Sequence, residues 1–200
     1  MIAEFTSIDG YFNTYVICRF HECVIINPSH SYEVITKYIG PRTIIGLFAT
    51  EITKYNIDQI GYYKAPLYLS NEQEEELRSD YIKGYETRKY PFDLTRLKIL
   101  NYSNEEKIKL GENYIEILIV NGIHTPTSVF RYKENLFVGS LFHGNKLAKK
   151  ANYKSSIYDL KRSIQTIIGL SSDILLYHNT RKPNKLGNEK NTNQDIERWL

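Results

Sequence analysis

The sequence predicts a mixed α/β protein in which helices cover β-sheets. Short runs rich in β-branched and aromatic residues recur along the 200-residue chain, as expected of strands. Apolar residues at helical spacing lie between some of these runs. Near the start, the order strand, helix, buried strand indicates a βαβ crossover. The chain shows no internal repeat and no linker, so we predict a single domain over residues 1–200.

The first elements are predicted to be a hairpin followed by a crossover. Residues 12–20 and 22–28 are two strand-like runs joined by a short polar turn. Residues 31–39 carry apolar side chains at helical spacing, and Gly40-Pro41 ends that helix. Residues 43–50, "TIIGLFAT", form a continuous apolar run, which indicates a strand buried on both faces.

A short strand and an acidic helix are predicted next. Residues 65–70, "APLYLS", form the strand, and Ser70 with Gln73 forms a capping box that opens the helix. The helix covers residues 71–85, and its acidic first turn suits the helix dipole. We interpret its charge run as a solvated face.

The second half of the chain is predicted to be mainly strands. Turn signals at Gly111-Glu112 and at residues 133–135 indicate hairpins. The polar tail is expected to end in a short helix that docks Trp199. The predicted strands are residues 94–100, 107–121, 127–142 and 173–178. The predicted amphipathic helix is residues 155–170.

Composition and charge indicate a water-soluble protein with a mildly basic surface. The net charge is +3 and the pI about 8.6, which does not demand a nucleic-acid partner. No apolar run approaches the roughly 20 residues that span a bilayer, and no signal-peptide pattern opens the sequence. We therefore expect a cytoplasmic location and no membrane partner. We interpret one basic stretch as solvated surface in preference to a contact with phosphate or nucleic acid. It comprises Lys146, Lys149, Lys150, Lys154, Lys161 and Arg162.

The two cysteines face each other in the predicted first hairpin. If Phe20 and His21 form a two-residue turn, Cys18 and Cys23 lie opposite each other, and a cross-strand disulfide is conceivable. We favour two reduced, small apolar side chains, as is usual in a reducing compartment. Two cysteines alone cannot form a tetrahedral zinc site.

The stretch after the buried strand carries a family resemblance. "ITKYNIDQIG" resembles the motif Thr-His-x-His-x-Asp-His-Ile-Gly, with matches at Thr53, Asp58, Ile60 and Gly61. This motif follows a buried strand in the metallo-β-lactamase fold superfamily, which includes glyoxalase II and ribonuclease Z. The three histidine positions are occupied by Lys54, Asn56 and Gln59.

Other segments resemble the same superfamily in the expected order. "VIINPS" resembles a strand that ends in Asp-Pro-Gly, with Asn27 in place of the acid. Residues 122–142 resemble its Gly-His-Thr-Pro-Gly-Ser segment and the following hairpin, with His124 retained and Ser140 in place of a bridging aspartate. His178 would be the terminal histidine ligand. The resemblance implies a four-layer αββα sandwich with a cleft at one edge of two sheets.

The substitutions predict that the implied metal centre is lost. Only Asp58, His124 and His178 remain of the seven ligand positions that the resemblance implies. The Lys54 ammonium has no lone pair for a metal and would repel it, and it could pair with Asp58 instead. We therefore predict a degenerate, metal-free and non-catalytic pseudoenzyme without cofactor, which acts as a binding or interaction module. Its partner would be an unknown small molecule or protein, for example an anion near Lys54, and a homodimer is an open alternative.

Two other functions are carried as alternatives. His30 and His143 follow loops that border the implied cleft, and they could replace lost ligands. With His124, His178 and Asp58 they would form an atypical mononuclear zinc site for hydrolysis of an ester, thioester or phosphodiester. The third hypothesis is a nucleic-acid-associated protein, which the basic stretch and the analogy with nucleases of the superfamily suggest, and which we consider the least favoured.

Overall fold

In the computed structural model the described residues are 2–6, 12–87, 94–123, 125–143, 146–147 and 156–197. They form two six-stranded sheets and a two-stranded ribbon. The first sheet has the order β1-β2-β3-β4-β5-β6. Its strands are β1 Ile2–Thr6, β2 Asn13–Arg19, β3 Glu22–Ile26, β4 Thr43–Phe48, β5 Leu67–Leu69 and β6 Ile99–Asn101.

The second sheet has the order β14-β13-β10-β9-β8-β7. Its strands are β7 Lys107–Leu110, β8 Asn113–Val120, β9 Thr127–Tyr132, β10 Asn135–Gly139, β13 Leu175–His178 and β14 Asn184–Lys185. The ribbon consists of β11 Phe142–His143 and β12 Lys146–Leu147. The α-helices within the described residues are α1 Tyr32–Ile39, α2 Lys54–Ile60, α3 Asn71–Thr87, α4 Ile157–Ile168, α5 Leu186–Thr192 and α6 Gln194–Glu197.

Three apolar clusters divide the molecule into four layers. Alternate residues of a strand point to opposite faces, so Tyr15 and Ile17 of β2 face the second sheet while Val16 faces the helices. The cluster between the sheets joins such residues to Phe130 and Phe137 of the second sheet. Helices α1, α2 and α3 cover the outer face of the first sheet, and α4, α5 and α6 cover that of the second. This arrangement confirms the predicted αββα sandwich.

Most predicted elements are present with shorter bounds. Strand β3, helix α1 and strand β4 form the predicted crossover, because β3 and β4 are parallel. The capping box is confirmed: the Ser70 N–H donates to Gln73 Oε1 at 3.1 Å, and the Gln73 N–H donates to Ser70 Oγ at 3.2 Å. The predictions missed the edge strand β1, the helices α2 and α5, and the short strands β12 and β14. The prediction of a strand from residue 94 was wrong at its start, where Leu94–Arg96 form a 3₁₀-helix.

The described helices include none that is both long and apolar enough to cross a membrane. Of the basic stretch, Lys146 and Arg162 are exposed, while Lys149, Lys150 and Lys154 lie outside the described residues. Trp199 and its predicted docking also lie outside them. The cytoplasmic location stays a prediction.

The preferred interpretation of the cysteines was wrong, because the structure joins Cys18 to Cys23 in a disulfide. The two residues are directly opposed in the antiparallel pair of β2 and β3, with Cα atoms 4.1 Å apart. Phe20 has a left-handed φ of 52°, which allows the tight turn that sets this register. The geometry of the turn therefore brings the sulfur atoms together, as the less favoured alternative required.

Reducing this disulfide should destabilise the protein modestly. The bridge closes a loop with a sequence separation of 5 residues. A loop this short restricts the unfolded chain little, so its loss should lower the free energy of unfolding by about 2 kcal/mol. Urea denaturation with and without a reductant measures this difference. The Cys18→Ser variant is the control, since its stability should not respond to the reductant; an unchanged wild-type midpoint would contradict the bridge.

Candidate functional site

Four strand ends meet at one edge of the two sheets and gather polar side chains there. Strands β3 and β4 are parallel, as are β10 and β13, so each pair ends on one side of its sheet. Hydrogen bonds join the two pairs across this edge. The side chains that make them, here called the polar network, are Asn27, Thr50, Glu51, Ser140 and Asn179.

Asn27 connects three strand ends through hydrogen bonds of its side chain. It follows β3 with a left-handed φ of 52°, a conformation that asparagine tolerates better than most residues. Its Oδ1 accepts a hydrogen bond from the Thr50 backbone N–H at 2.7 Å, just beyond β4. Its Nδ2 donates to Oδ1 of Asn179 at 2.7 Å, just beyond β13. Asn27 is 2% exposed, so these bonds replace those that water would make.

Glu51 is the centre of the polar network. Its Oε2 accepts a hydrogen bond from Ser140 Oγ at 2.6 Å, and its Oε1 accepts one from Nδ2 of Asn179. The side chain of Asn56 holds the backbone of Glu51 in place, because its Nδ2 donates to the Glu51 carbonyl at 2.8 Å.

The orientation of both amides in the network is determined by their partners. The Asn179 amide must present Nδ2 to the carboxylate, which leaves its Oδ1 facing Asn27. The Asn27 amide must then present Nδ2 to Asn179, which leaves its Oδ1 facing the Thr50 N–H. The fixed backbone donor and the carboxylate therefore require the same arrangement, in which the oxygen and the nitrogen of each amide have a hydrogen-bond partner.

Burial and hydrogen bonding have opposite effects on Glu51. Burial raises the pKa of the Glu51 carboxyl above its ordinary value, and the hydrogen bonds from Ser140 and Asn179 lower it in part. Glu51 is only 8% exposed. The site thus contains a buried acid whose charged form is stabilised by neutral donors.

The four residues that the resemblance places at ligand positions after the buried strand, one retained and three substituted, lie on helix α2. Lys54 is exposed, and its Nζ lies 4.8 Å from the ring centroid of Tyr55. Asp58 is exposed too. Asn56 completes a capping box with Thr53 at the start of the helix, and Gln59 accepts a hydrogen bond from the Tyr32 N–H at 3.2 Å. The expected place of Lys54 in the cleft stays a prediction, and the side chain that contacts Ser140 is Glu51.

The observed end of strand β4 indicates a different register of the motif. Strand β4 ends at Phe48, and the first threonine after it is Thr50, not Thr53. Aligning the motif from Thr50 matches fewer residues but agrees with the observed strand end. The four ligand positions then carry Glu51, Thr53, Tyr55 and Asn56. The contact between Glu51 and Ser140 supports this register, since Ser140 stands where the resemblance has its bridging aspartate.

His178 lies at the expected strand end but points away from Glu51. Its Nε2 lies 2.7 Å from Asn184 Oδ1, and Asn184 Nδ2 donates to Glu189 Oε1 at 3.0 Å. Arg181 forms an ion pair of 2.7 Å with the same Glu189 oxygen. Successive residues along a strand point to opposite sides, so Asn179 and not His178 faces the polar network.

The other histidines are not brought to the polar network within the described residues. The His30 ring packs edge-on against Phe5, with ring centroids 5.9 Å apart. His143 is exposed on β11, opposite Lys146 of the ribbon. His124 lies outside the described residues, so its expected place in the site stays a prediction.

The buried His178 should make stability depend on pH. Burial lowers the pKa of His178 from 6.5 to about 4, so the unfolded chain binds a proton in a range where the folded chain does not. The free energy of unfolding should therefore fall by up to roughly 3 kcal/mol as the pH drops from 6.5 to about 4.

Urea denaturation of wild type across this range measures the loss at His178. The His178→Gln variant should lose this part of the pH dependence, whereas a control variant at the exposed turn residue, His21→Gln, should keep it. Parallel pH profiles of wild type and His178→Gln would show that His178 is not the responsible group.

The described residues of the site do not fit a dinuclear metal centre. Zinc sites in proteins are built from His, Cys, Asp and Glu side chains. Within the part of the chain that the structure describes, no three such side chains form a group that could hold a metal ion. Both carboxylate oxygens of Glu51 accept hydrogen bonds, and the other members of the polar network offer only hydroxyl and amide groups.

Comparison with solved structures identifies the fold. No protein-family profile and no curated protein sequence matches the chain. The BLEG-1 B3 metallo-β-lactamase aligns with TM-score 0.78 and 16% identity, covering 98% of this chain and 99% of that one. ETHE1 from Myxococcus xanthus aligns with TM-score 0.74 and 12% identity, covering 98% of this chain and 84% of that one. TTHA1623 in a di-iron-bound form aligns with TM-score 0.76 and 15% identity, covering 96% of this chain and 99% of that one.

The chain therefore has the metallo-β-lactamase fold, as the resemblance implied. The identities are low, so the likeness establishes the architecture and not the activity. The sequence signals that could have located the site were the end of the apolar run at Phe48 and the pair Thr50-Glu51 directly after it. Asn179 was also missed, because the neighbouring His178 matched the expected ligand type.

Proposed function

We propose that this protein is a metal-free version of the metallo-β-lactamase fold that acts as a binding or interaction module and not as a metal-dependent hydrolase. The observation that carries the proposal is the pair of hydrogen bonds from Ser140 and Asn179 to the two carboxylate oxygens of Glu51. A buried carboxylate needs either a cation or several donors to offset its desolvation. Here the polar network supplies those donors.

The surroundings of Glu51 favour this interpretation over a vacant metal site. Ligands of a metal are usually oriented by second groups that leave their coordinating lone pairs directed at the ion. In the polar network the amides of Asn179 and Asn27 are instead directed along a chain that ends at the Thr50 backbone. This series of hydrogen bonds connects the strand ends without requiring a cation.

Among the described residues, no geometry favours the alternative of an atypical mononuclear hydrolase, and its fifth candidate ligand, His124, lies outside them. Of its five candidate ligands, His178 contacts Asn184, His30 contacts Phe5, and Asp58 and His143 are exposed. The partner remains unidentified, and the proposal keeps a small molecule or a protein as the two classes. Nucleic-acid binding and a homodimer stay predictions.

Metal content tests the proposal. Protein purified without chelator, incubated with excess zinc and desalted should retain far less than one zinc ion per chain in elemental analysis. A chelator should leave its thermal midpoint unchanged, because no metal contributes to stability. The Glu51→Gln variant, which removes the carboxylate charge, is the matched control and should give the same background. Stoichiometric zinc in wild type that is lost in Glu51→Gln would contradict the proposal.

A further inference from the structure

We propose that Ser140 is a nucleophile activated by Glu51, and that it takes up the acyl group of an uncharged activated ester. This inference rests on the proposed metal-free site and deepens it by naming a ligand class. A serine hydroxyl that donates to a carboxylate at 2.6 Å has the separation required for proton transfer to a general base.

Ser140 lies in a turn at the end of a strand and is only partly buried. Ser140 directly follows β10 in a tight turn, in which the Leu141 N–H donates to the Val138 carbonyl at 3.0 Å. Gly139 before it has a left-handed φ of 59°. Ser140 is half-buried, whereas Glu51 is buried below it. Ser140 is therefore the partly exposed member of this pair, and Glu51 is the buried one.

The base is held by a third group, as such a pair requires. The Asn179 amide donates to Oε1 of Glu51, which leaves Oε2 directed at Ser140. Asn27 holds the Asn179 amide, and the Thr50 backbone holds Asn27. This succession from nucleophile to base to orienting group is the arrangement by which hydroxyl nucleophiles are activated on unrelated folds.

The buried surroundings of Glu51 favour its action as a base. Burial raises the pKa of the Glu51 carboxyl, so its carboxylate binds a proton more strongly than an exposed one. The same carboxylate disfavours a negatively charged acyl group close to Ser140. An uncharged acyl group on a good leaving group is therefore the ligand class that fits.

The proposed step balances without a further reactant. Glu51 takes the proton of the Ser140 hydroxyl while Oγ attacks the ester carbonyl carbon, which forms a tetrahedral intermediate. The bond between that carbon and the leaving-group oxygen then breaks. The released alkoxide or phenolate takes the proton from Glu51 or leaves as the anion with the proton passing to water. The product is an ester of Ser140.

Acetylation by p-nitrophenyl acetate tests the proposal in the presence of a chelator. Wild type should gain one acetyl group in intact-mass analysis, and peptide mapping should place it on Ser140. Ser140→Ala should not be labelled there, and Glu51→Gln should be labelled at least about 100-fold more slowly. Ser163→Ala is the matched control, because Ser163 is a half-buried serine on α4 outside the polar network, and this variant should react like wild type.

Several outcomes would overturn the proposal. They are absence of the label, a label that maps elsewhere, and equal rates in wild type and Glu51→Gln. If Glu51→Gln does not fold, Glu51→Asp replaces it, since a shorter side chain withdraws the carboxylate from Ser140 and should also slow labelling. Zinc content is measured on the same protein preparation before the chelator is added. Retained zinc would therefore defeat the proposed function without bearing on the labelling, which is done with the chelator present.

Discussion

Replacing Asn27 by alanine is expected to lower the free energy of unfolding by roughly 3 to 5 kcal/mol. The substitution leaves the Thr50 N–H and Asn179 Oδ1 without their partner, and each buried unpaired group costs about 1–3 kcal/mol. Alanine is also less tolerant than asparagine of the φ of 52° at this position. Urea denaturation followed by circular dichroism measures the loss.

Asn27→Gly separates the two causes at this position. Glycine adopts a left-handed φ at no steric cost, so this variant should lose the side-chain bonds but not the backbone preference. It should be more stable than Asn27→Ala by about 1 kcal/mol and still clearly less stable than wild type. Wild-type stability in Asn27→Gly would show that the polar network contributes nothing to the fold.

Replacing Gly122 by alanine is expected to destabilise the protein by at least about 4 kcal/mol or to prevent folding. A Cβ at this position would overlap the Ser156 carbonyl oxygen and the Leu160 backbone nitrogen. The start of helix α4 would therefore have to move. Gly122 also has a φ of 78°, which side chains rarely adopt. The yield of soluble protein and the urea midpoint measure the effect.

Gly40→Ala is the matched control for this substitution. Gly40 has a similar φ of 62°, but a Cβ there would meet nothing within 4 Å. The control variant should therefore show only the backbone cost, about 1 to 2 kcal/mol. Equal losses in the two variants would indicate that the close approach of Gly122 to α4 does not matter.

The fold could be predicted because its signals are local and mutually consistent. Strands such as Asn13–Arg19 carry apolar side chains on both faces, since one face meets a helix layer and the other meets the second sheet. Turn residues and the capping box at Ser70 marked the element ends correctly. Strand β1 was missed because only its pairing with β2 gives it a partner, and sequence alone does not show that pairing.

The candidate site was predicted less well because its position depends on a strand end. The motif matched four residues when aligned from Thr53, so the resemblance favoured a register in which Lys54 replaced a ligand. In the structure β4 ends at Phe48, and Thr53 caps helix α2. The residues that the motif matched therefore lie on a helix and not directly after the strand. Glu51 did not stand out, because a glutamate after a strand is usually solvated and only the contacts with Ser140 and Asn179 show otherwise.

The most direct test of a site held together by hydrogen bonds is diffraction at the zinc absorption edge. Crystals grown from zinc-incubated protein should show ordinary density for the Glu51 carboxylate, with Ser140 Oγ and Asn179 Nδ2 at hydrogen-bond distance and no anomalous peak between them. A strong anomalous peak coordinated by Glu51 would contradict the account. The carboxylate would then be a metal ligand, and the polar network would be its supporting shell.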